Sequence, residues 1–255
     1  MIKISIIIAT YNAGKFLQRS LDSIVPQLND FVELLIIDGG SKDDTLSIIE
    51  HNRKSIFYTV SGQDKGIYDA WNKGISQSRG DWIMFIGADD ILLPNAIKNY
   101  LDAIGNNPTI DSIDYICAQN EYIDKIGNIL KVMGKDPNWS LMRRTMGAAH
   151  VASLHSKRNL FDTVGLYDFQ NFRICSDYEL LLRKGANLKA LFIPKHIARM
   201  QVGGMSFTDK AIIETYKIRA KHRTVPIFFN QMLFLRDWIA FKLFIIRKKI
   251  FGAKF

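Results

Sequence analysis

Asp81-Trp82-Ile83-Met84-Phe85-Ile86-Gly87-Ala88-Asp89-Asp90 is the stretch that decides the fold. Asp81 to Ile86 reads as a buried strand that stops on Gly87-Ala88 and two adjacent carboxylates. Upstream, short apolar runs alternate with helical stretches. Lys3 to Thr10 reads as a strand, and Gly14 to Leu28 as a helix with Phe16, Leu17, Leu21, Ile24 and Leu28 at helical spacing. Val32 to Asp38 is a continuous apolar strand ending in a carboxylate. Asp43 to Asn52 reads as a helix, Ser55 to Ser61 as a strand, and Ile67 to Ser78 as a helix. Strand–helix repetition at this spacing predicts βαβ units and a doubly wound, mostly parallel sheet with helices on both faces. In such sheets ligands bind beyond the carboxyl ends of the strands. Here those ends carry Thr10-Tyr11-Asn12, Asp38-Gly39-Gly40-Ser41 and Asp89-Asp90.

The second half is less regular. Ile113 to Asp124 reads as a strand with Gly127 to Met133 as its hairpin partner. Lys157 to Val164 and Asp177 to Gly185 read as helices.

Two adjacent carboxylates at a strand end are costly unless something cationic neutralises them. Hard oxygen ligands suit Mg²⁺ or Mn²⁺, ions that bridge protein carboxylates and diphosphate oxygens. A cap or a solvated turn explains such a pair taken alone. The position after a buried strand, beside two further polar strand ends, favours the metal. Asp38 has the same two-sided character: a turn carboxylate, or an acceptor for a base N–H with Gly39-Gly40 allowing close approach. Asp69, Asn72 and Lys73 fall at i, i+3 and i+4 on one helical face. That face is either solvated or meets a nucleotide sugar, with Lys73 near phosphate. Asp177 stands at a helix start, where capping explains a carboxylate as readily as a role as general base.

The composition narrows the classes. Hydrophobic residues make up 47% of 255 and charged residues 23%, which supports a packed core and excludes global disorder. The N-terminal apolar stretch Ile4 to Ala9 is too short for a signal segment, and no apolar run approaches the ~20 residues of a membrane span. A cytoplasmic protein, peripheral on the inner face of the membrane, is expected. Cys117 and Cys175 have no metal-ligand spacing and read as reduced thiols. The net charge of +9 is confined to Thr215–Phe255, where ten Lys/Arg stand against one Asp. The rest of the chain is neutral, which argues against nucleic acid as a partner and for an acidic surface met by the tail. In Pro226–Phe255, Phe228, Met232, Leu235, Ile239, Leu243, Ile246 and Ile250 form one apolar stripe, widened by Trp238, Phe241, Phe244 and Phe251. Such an amphipathic helix either lies on an anionic membrane surface or packs on protein; the confined charge favours the membrane.

The ordered series Ser5-Ile6-Ile7-Ile8-Ala9-Thr10-Tyr11-Asn12, Ile37-Asp38-Gly39-Gly40-Ser41-Lys42-Asp43-Asp44-Thr45, Asp64-Lys65-Gly66-Ile67-Tyr68-Asp69 and Gly87-Ala88-Asp89-Asp90 resembles glycosyltransferase family 2, the inverting enzymes of GT-A fold, and within it the enzymes that build bacterial surface polysaccharides. The resemblance covers about residues 3 to 206. It implies a GT-A-type, Rossmann-like α/β domain over residues 1–214, with a nucleotide-sugar half to about 104 and an acceptor half over 105–214; the basic apolar tail over 215–255 follows it. It implies that Thr10, Tyr11 and Asp38, with Ala9 beside them, hold the uracil or other base. Asp69, Asn72 and Lys73 join the donor site. Asp89 faces ribose and diphosphate, and Asp90, with Asp89, binds a divalent metal, Mg²⁺ or Mn²⁺. Asp177 matches the family's catalytic base. His150 and Gly204, within Gly203-Gly204-Met205-Ser206, match acceptor-side positions. The implied donor is a nucleotide sugar, UDP-linked by preference, and the implied acceptor a glycan, lipid-linked. Three departures stand out: Asp38-Gly39-Gly40-Ser41 for Asp-Asp-Gly-Ser, Ala88-Asp89-Asp90 for Asp-x-Asp, and His150-Val151 for His-Gln. A nucleotidyltransferase and a non-catalytic nucleotide-sugar-binding module are the alternatives; Thr10-Tyr11-Asn12-Ala13-Gly14 is a poor phosphate loop for the first, and the retained carboxylates argue against the second.

Overall fold

The computed structural model describes residues 1–124, 126–201 and 208–251, the last five by backbone alone. The chain runs β1 (Ile4–Thr10), α1 (Leu17–Ile24), β2 (Val32–Asp38), α2 (Thr45–His51), β3 (Tyr58–Ser61), α3 (Ile67–Gln77), β4 (Trp82–Gly87), β5 (Ile91–Leu92) and α4 (Ala96–Asn106). It continues through β6 (Tyr115–Ile123), β7 (Ile129–Met133), α5 (Trp139–Met142), β8 (Leu154–Ser156), α6 (Asp162–Val164), α7 (Ser176–Lys184), β9 (Ala190–Gln201), α8 (Asp209–Lys221) and α9 (Ile227–Phe251).

One sheet of order β3-β2-β1-β4-β8-β6-β9-β5 forms, with β7 on β6. β3, β2, β1 and β4 are parallel, as the βαβ rhythm requires. Beyond β4 the sheet turns mixed: β8 is antiparallel to β4 and β6, β9 is parallel to β6, and β5 is antiparallel to β9. The strands alternate between two cores. Ile4, Ile6, Ile8, Leu34, Ile36, Met84 and Ile86 pack with Leu17, Leu21 and Ile24 of α1. Ile7, Leu35, Ile37, Ile83 and Phe85 pack with Trp71 and Ile75 of α3 and with α7. Burial on both faces is why these strands are apolar throughout.

Several elements differ from the sequence expectation. The first helix stops at Ile24 and passes into a 3₁₀ turn, Val25–Gln27, because Pro26 cannot continue the α-helical hydrogen bonding. Lys157–Phe161 is a π turn that runs into α6. The boundary expected at 214/215 falls inside α8, whose Ile218 belongs to the second core. The tail is helical from Ile227. Asn230 and Leu233 are buried, whereas Phe228, Met232, Leu235, Trp238, Ile239, Leu243 and Ile246 are exposed. Ile250 and Phe251 fall where side chains are not described. Among the described residues no helix is long and apolar enough to cross a membrane.

Candidate functional site

The strand register brings the three polar strand ends into one row. Thr10 pairs with Asp38, Asp38 with Ser61, and Ala9 with Gly87. Asp38 is buried and accepts from Thr10 Oγ1 at 2.9 Å, Ser61 Oγ at 2.6 Å, the amides of Gly40 and Ser41 at 3.0 Å, and Ser41 Oγ. Burial pushes its pKa up, but the Ser41, Ser61 and Thr10 hydrogen bonds outweigh it and hold the carboxyl below the usual range. A carboxylate offers about four lone-pair positions, so Asp38 is filled by the protein and serves to knot β1, β2 and β3 together. Tyr11, by contrast, is 67% exposed beyond the end of β1.

Asp64, at the head of the Asp64-Lys65-Gly66 stretch, also reaches the strand ends. Its carboxylate lies against Gly39, where a Cβ would come within 2.6 Å of Oδ2. A side chain at position 39 would have to push the Asp64 carboxylate aside, so Asp64 stands beside the end of β2.

At the end of β4 both carboxylates fold back over Gly87. A Cβ there would meet Asp90 Oδ2 at 2.7 Å and Asp89 Oδ1 at 3.0 Å. Gly87 N donates to Asp90 Oδ2 at 2.9 Å, and Asp90 N closes the turn on Gly87 O at 3.2 Å. Asp89 is exposed and Asp90 is 4% exposed. Burial, then the Asp89 charge, pushes the Asp90 carboxyl up to about 7. A buried carboxylate so underprovided with donors, beside a second one, fits a divalent cation. Among the described residues no group of three or more His, Cys, Asp or Glu could hold a metal. Such an ion would therefore take its remaining ligands from phosphate and water.

Asp69, Asn72 and Lys73 do share one face of α3, but each has a protein partner. Lys73 Nζ lies 3.2 Å from Asp69 Oδ2, which also accepts from Lys65 N at 2.9 Å. The Asn72 amide pairs both ways with the Tyr167 backbone, at 2.9 and 3.0 Å.

Asp177 lies in the first turn of α7, whose N-cap is Cys175 without a side-chain cap hydrogen bond. It borders a cavity of about 510 Å³, also lined by Tyr68, Trp71, Asn120, Tyr122 and His150. Tyr68 Oη stands 2.7 Å from Ile174 O and 3.0 Å from Asp177 Oδ1. Burial raises the Asp177 pKa, opposed by hydrogen bonds that include Tyr68. His150 is stacked on Trp71 and Phe85, with centroids 5.1 and 5.6 Å away, and its Nε2 lies 2.9 Å from Tyr167 Oη. Burial pushes its pKa down to about 3, so the ring is neutral. Gly204 and the Gly203–Ser206 stretch lie outside the described residues.

Tyr122 lines the same cavity as Asp177. Burial, then the charges of Asp90 and Asp177, pushes its hydroxyl up to about 12. The sheet explains the proximity, since β5 follows Asp90 directly, pairs with β9, and β9 pairs with β6, which carries Tyr122.

Comparison with known proteins places this geometry. The family model for glycosyl transferase family 2 matches residues 5–187. A PGL/p-HBAD biosynthesis glycosyltransferase of Mycobacterium tuberculosis is 30% identical over 224 residues, 82% of each chain. An uncharacterized glycosyltransferase of Rickettsia conorii is 28% identical over 188 residues, 69% of this chain and 30% of that one. Among solved structures, S. aureus TarS 1-349 in complex with UDP superposes with a TM-score of 0.67 at 16% identity, covering 91% of this chain and 70% of that one. The mannosyltransferase PcManGT of Pyrobaculum calidifontis, in complex with GDP-Man and Mn²⁺, gives 0.58 at 16% identity, over 86% and 62%. These likenesses identify the fold as GT-A-type, and the extent of the family match displaces the nucleotidyltransferase alternative. The chain belongs to glycosyl transferase family 2 and is a glycosyltransferase.

Proposed function

We propose that the protein transfers a sugar, with inversion, from a nucleoside-diphosphate sugar to a hydroxyl of a glycan acceptor presented at a membrane surface, in the assembly of a bacterial surface polysaccharide. The observation that carries this reading is the pair of carboxylate sites: Asp89-Asp90 folded over Gly87 at the β4 end, and Asp177 on the cavity that Tyr122 also lines. The base of the donor lies against Thr10, Tyr11 and Asp64 beyond β1 and β2, a cleft that Asp38 holds in shape. Asp90, with Asp89, would hold a divalent cation, which when bound would supply countercharge for the diphosphate. The acceptor hydroxyl enters the cavity. Its oxygen forms a bond to the anomeric carbon from the face opposite the diphosphate while the carbon–diphosphate oxygen bond breaks. Asp177 takes the hydroxyl proton, and nucleoside diphosphate leaves. A UDP-sugar is the favoured donor, supported by the UDP and UDP-GlcNAc complexes of TarS.

The test is a thermal-shift screen of UDP, GDP and their sugars with and without Mg²⁺ or Mn²⁺. Ligand at 100 times its Kd stabilises the fold by about 2.7 kcal/mol. A shift that needs both nucleotide and metal is expected; no shift with any nucleotide overturns the reading.

The exposed stripe of α9, set in the basic tail, supports attachment to an anionic bilayer. Deleting residues 226–255 is a poor test, because Asn230 and Leu233 are buried against the body. Leu235→Asp with Leu243→Asp leaves the packed face intact. Each exposed leucine is worth about 1.5–3 kcal/mol on full burial. The double variant is expected to lose at least tenfold in binding to phosphatidylglycerol vesicles by co-sedimentation with its melting temperature unchanged. Undiminished sedimentation sinks the membrane role.

A further inference from the structure

The helix that holds the catalytic loop in place belongs to the tail side of the chain. Glu214, midway along α8 and half-buried, accepts three consecutive backbone amides: Arg173 N on Oε1 at 3.1 Å, and Ile174 N and Cys175 N on Oε2, both at 2.9 Å. These amides open the turn that enters α7 and carries Asp177. The same turn is held on its other side by Tyr68, through Ile174 O and Asp177 Oδ1. Cys175 Sγ sits between Ala211 O at 3.6 Å and Thr215 Oγ1 at 3.7 Å, both on α8. One turn further along α7, Glu179 is fully buried. It accepts Lys221 Nζ at 2.9 Å from the end of α8, with His222 Nε2 at 2.8 Å and Arg183 Nε at 2.8 Å. Burial pushes the Glu179 carboxyl up, but its hydrogen bonds with His222, Arg183 and Lys221 prevail and hold it at about 2. Glu179 is thus a permanent anchor.

We infer that Glu214 is a positioning residue for sugar transfer: it fixes the 173–175 backbone so that the Asp177 carboxylate stays at the cavity wall, and α8 is part of the active centre. The physical basis is that three parallel amides converge on one carboxylate. A carboxylate acceptor makes stronger hydrogen bonds than a neutral one, and no neutral side chain offers two equivalent oxygens to three donors. The inference rests on Asp177 being the base. Displacement of a catalytic group by about 1 Å costs on the order of 10²-fold in rate.

The experiment compares wild type, Glu214→Gln, Glu214→Ala and Asp177→Asn. Release of UDP from UDP-GlcNAc and UDP-glucose is followed by kcat and KM, alongside UDP affinity and the titration of Asp177 by carboxyl-carbon NMR. Both Glu214 variants are expected to lose 10- to 100-fold in kcat with KM and UDP affinity unchanged. Asp177 should titrate at lower pH than in wild type, as the loosened turn lets water reach it. Glu214→Gln preserves the shape, so it carries the test where Glu214→Ala fails to fold. Wild-type kcat and an unmoved Asp177 titration in Glu214→Gln overturn the inference. An active Asp177→Asn overturns the assignment of the base instead, and the NMR titration still judges Glu214 where turnover is too slow to measure.

Discussion

Asp177→Asn is expected to lower kcat about 10³-fold while leaving nucleotide affinity unchanged. Asparagine keeps the volume and the contact with Tyr68 but cannot take a proton. General-base catalysis contributes typically 10²–10⁴-fold. In the proposed function the donor side is built on β1, β2 and β4, whereas Asp177 comes from α7, so binding and chemistry separate cleanly in the measurement. The pH profile of the wild type carries a second signature. Burial raises the Asp177 pKa. The base must be ionised to act, so activity falls as pH drops through that raised value, above the range of an ordinary aspartate. In Asp177→Asn this acid limb should vanish from the residual rate. Retention of kcat within threefold would remove Asp177 from the mechanism.

The parallel half of the sheet was legible because the physics of doubly buried strands leaves a plain trace. Val32–Asp38 falls on its sequence-based limits, since an apolar run ending in a carboxylate marks it, and the helix Ile67–Gln77 ends one residue short of its expected limit. In the mixed half the β6–β7 hairpin was legible, but β8 and β9 left no such trace. Leu154-His155-Ser156 is three residues with a buried histidine, too short and too polar to read as a strand. Ala190–Gln201 contains Pro194, Lys195 and His196 and is half-exposed along most of its length. The site divides in the same way. Local spacing put Asp38, Asp89 and Asp90 at strand ends, but the filling of Asp38 by Thr10, Ser41 and Ser61 depends on inter-strand register. The Tyr68–Asp177 hydrogen bond spans 109 residues of sequence. Glu214 looks like any acid on an amphipathic helix until the fold brings the Arg173–Cys175 amides to it. Asn72 shows the converse: a polar face read as open is occupied by the backbone of Tyr167.

Asp90→Asn should abolish metal-dependent donor binding and, in metal-free protein, raise stability. The first effect follows from the loss of the buried anionic ligand. Activity is expected to fall at least 10³-fold, and the thermal shift produced by UDP with Mn²⁺ should disappear. The second effect has the opposite sign because the Asp90 carboxyl is buried beside Asp89 with few donors. Without one, the folded state holds Asp90 protonated up to about pH 7, whereas the unfolded chain ionises it near the ordinary value of 3.8. Between those values the folded state binds more protons, so stability falls as pH rises through that window and stays low above it. The full shift corresponds to at most about 4 kcal/mol at 1.36 kcal/mol per unit. Asparagine escapes this penalty but buries an amide with unmet donors, at a cost of about 1–3 kcal/mol. The net gain in chelator at pH 8 is roughly 2 kcal/mol, or about 4–8 °C in melting temperature for a chain of this size. At pH 4 the advantage should vanish, since the wild-type carboxyl is then protonated when folded and about two-fifths protonated when unfolded, which leaves a penalty of only about 0.6 kcal/mol. Scanning both proteins with EDTA across this range checks the sign as well as the size. An Asp90→Asn protein less stable than wild type at pH 8, or one whose donor affinity still responds to Mn²⁺, would mean that Asp90 is held by protein contacts and that the metal ligand must be sought elsewhere.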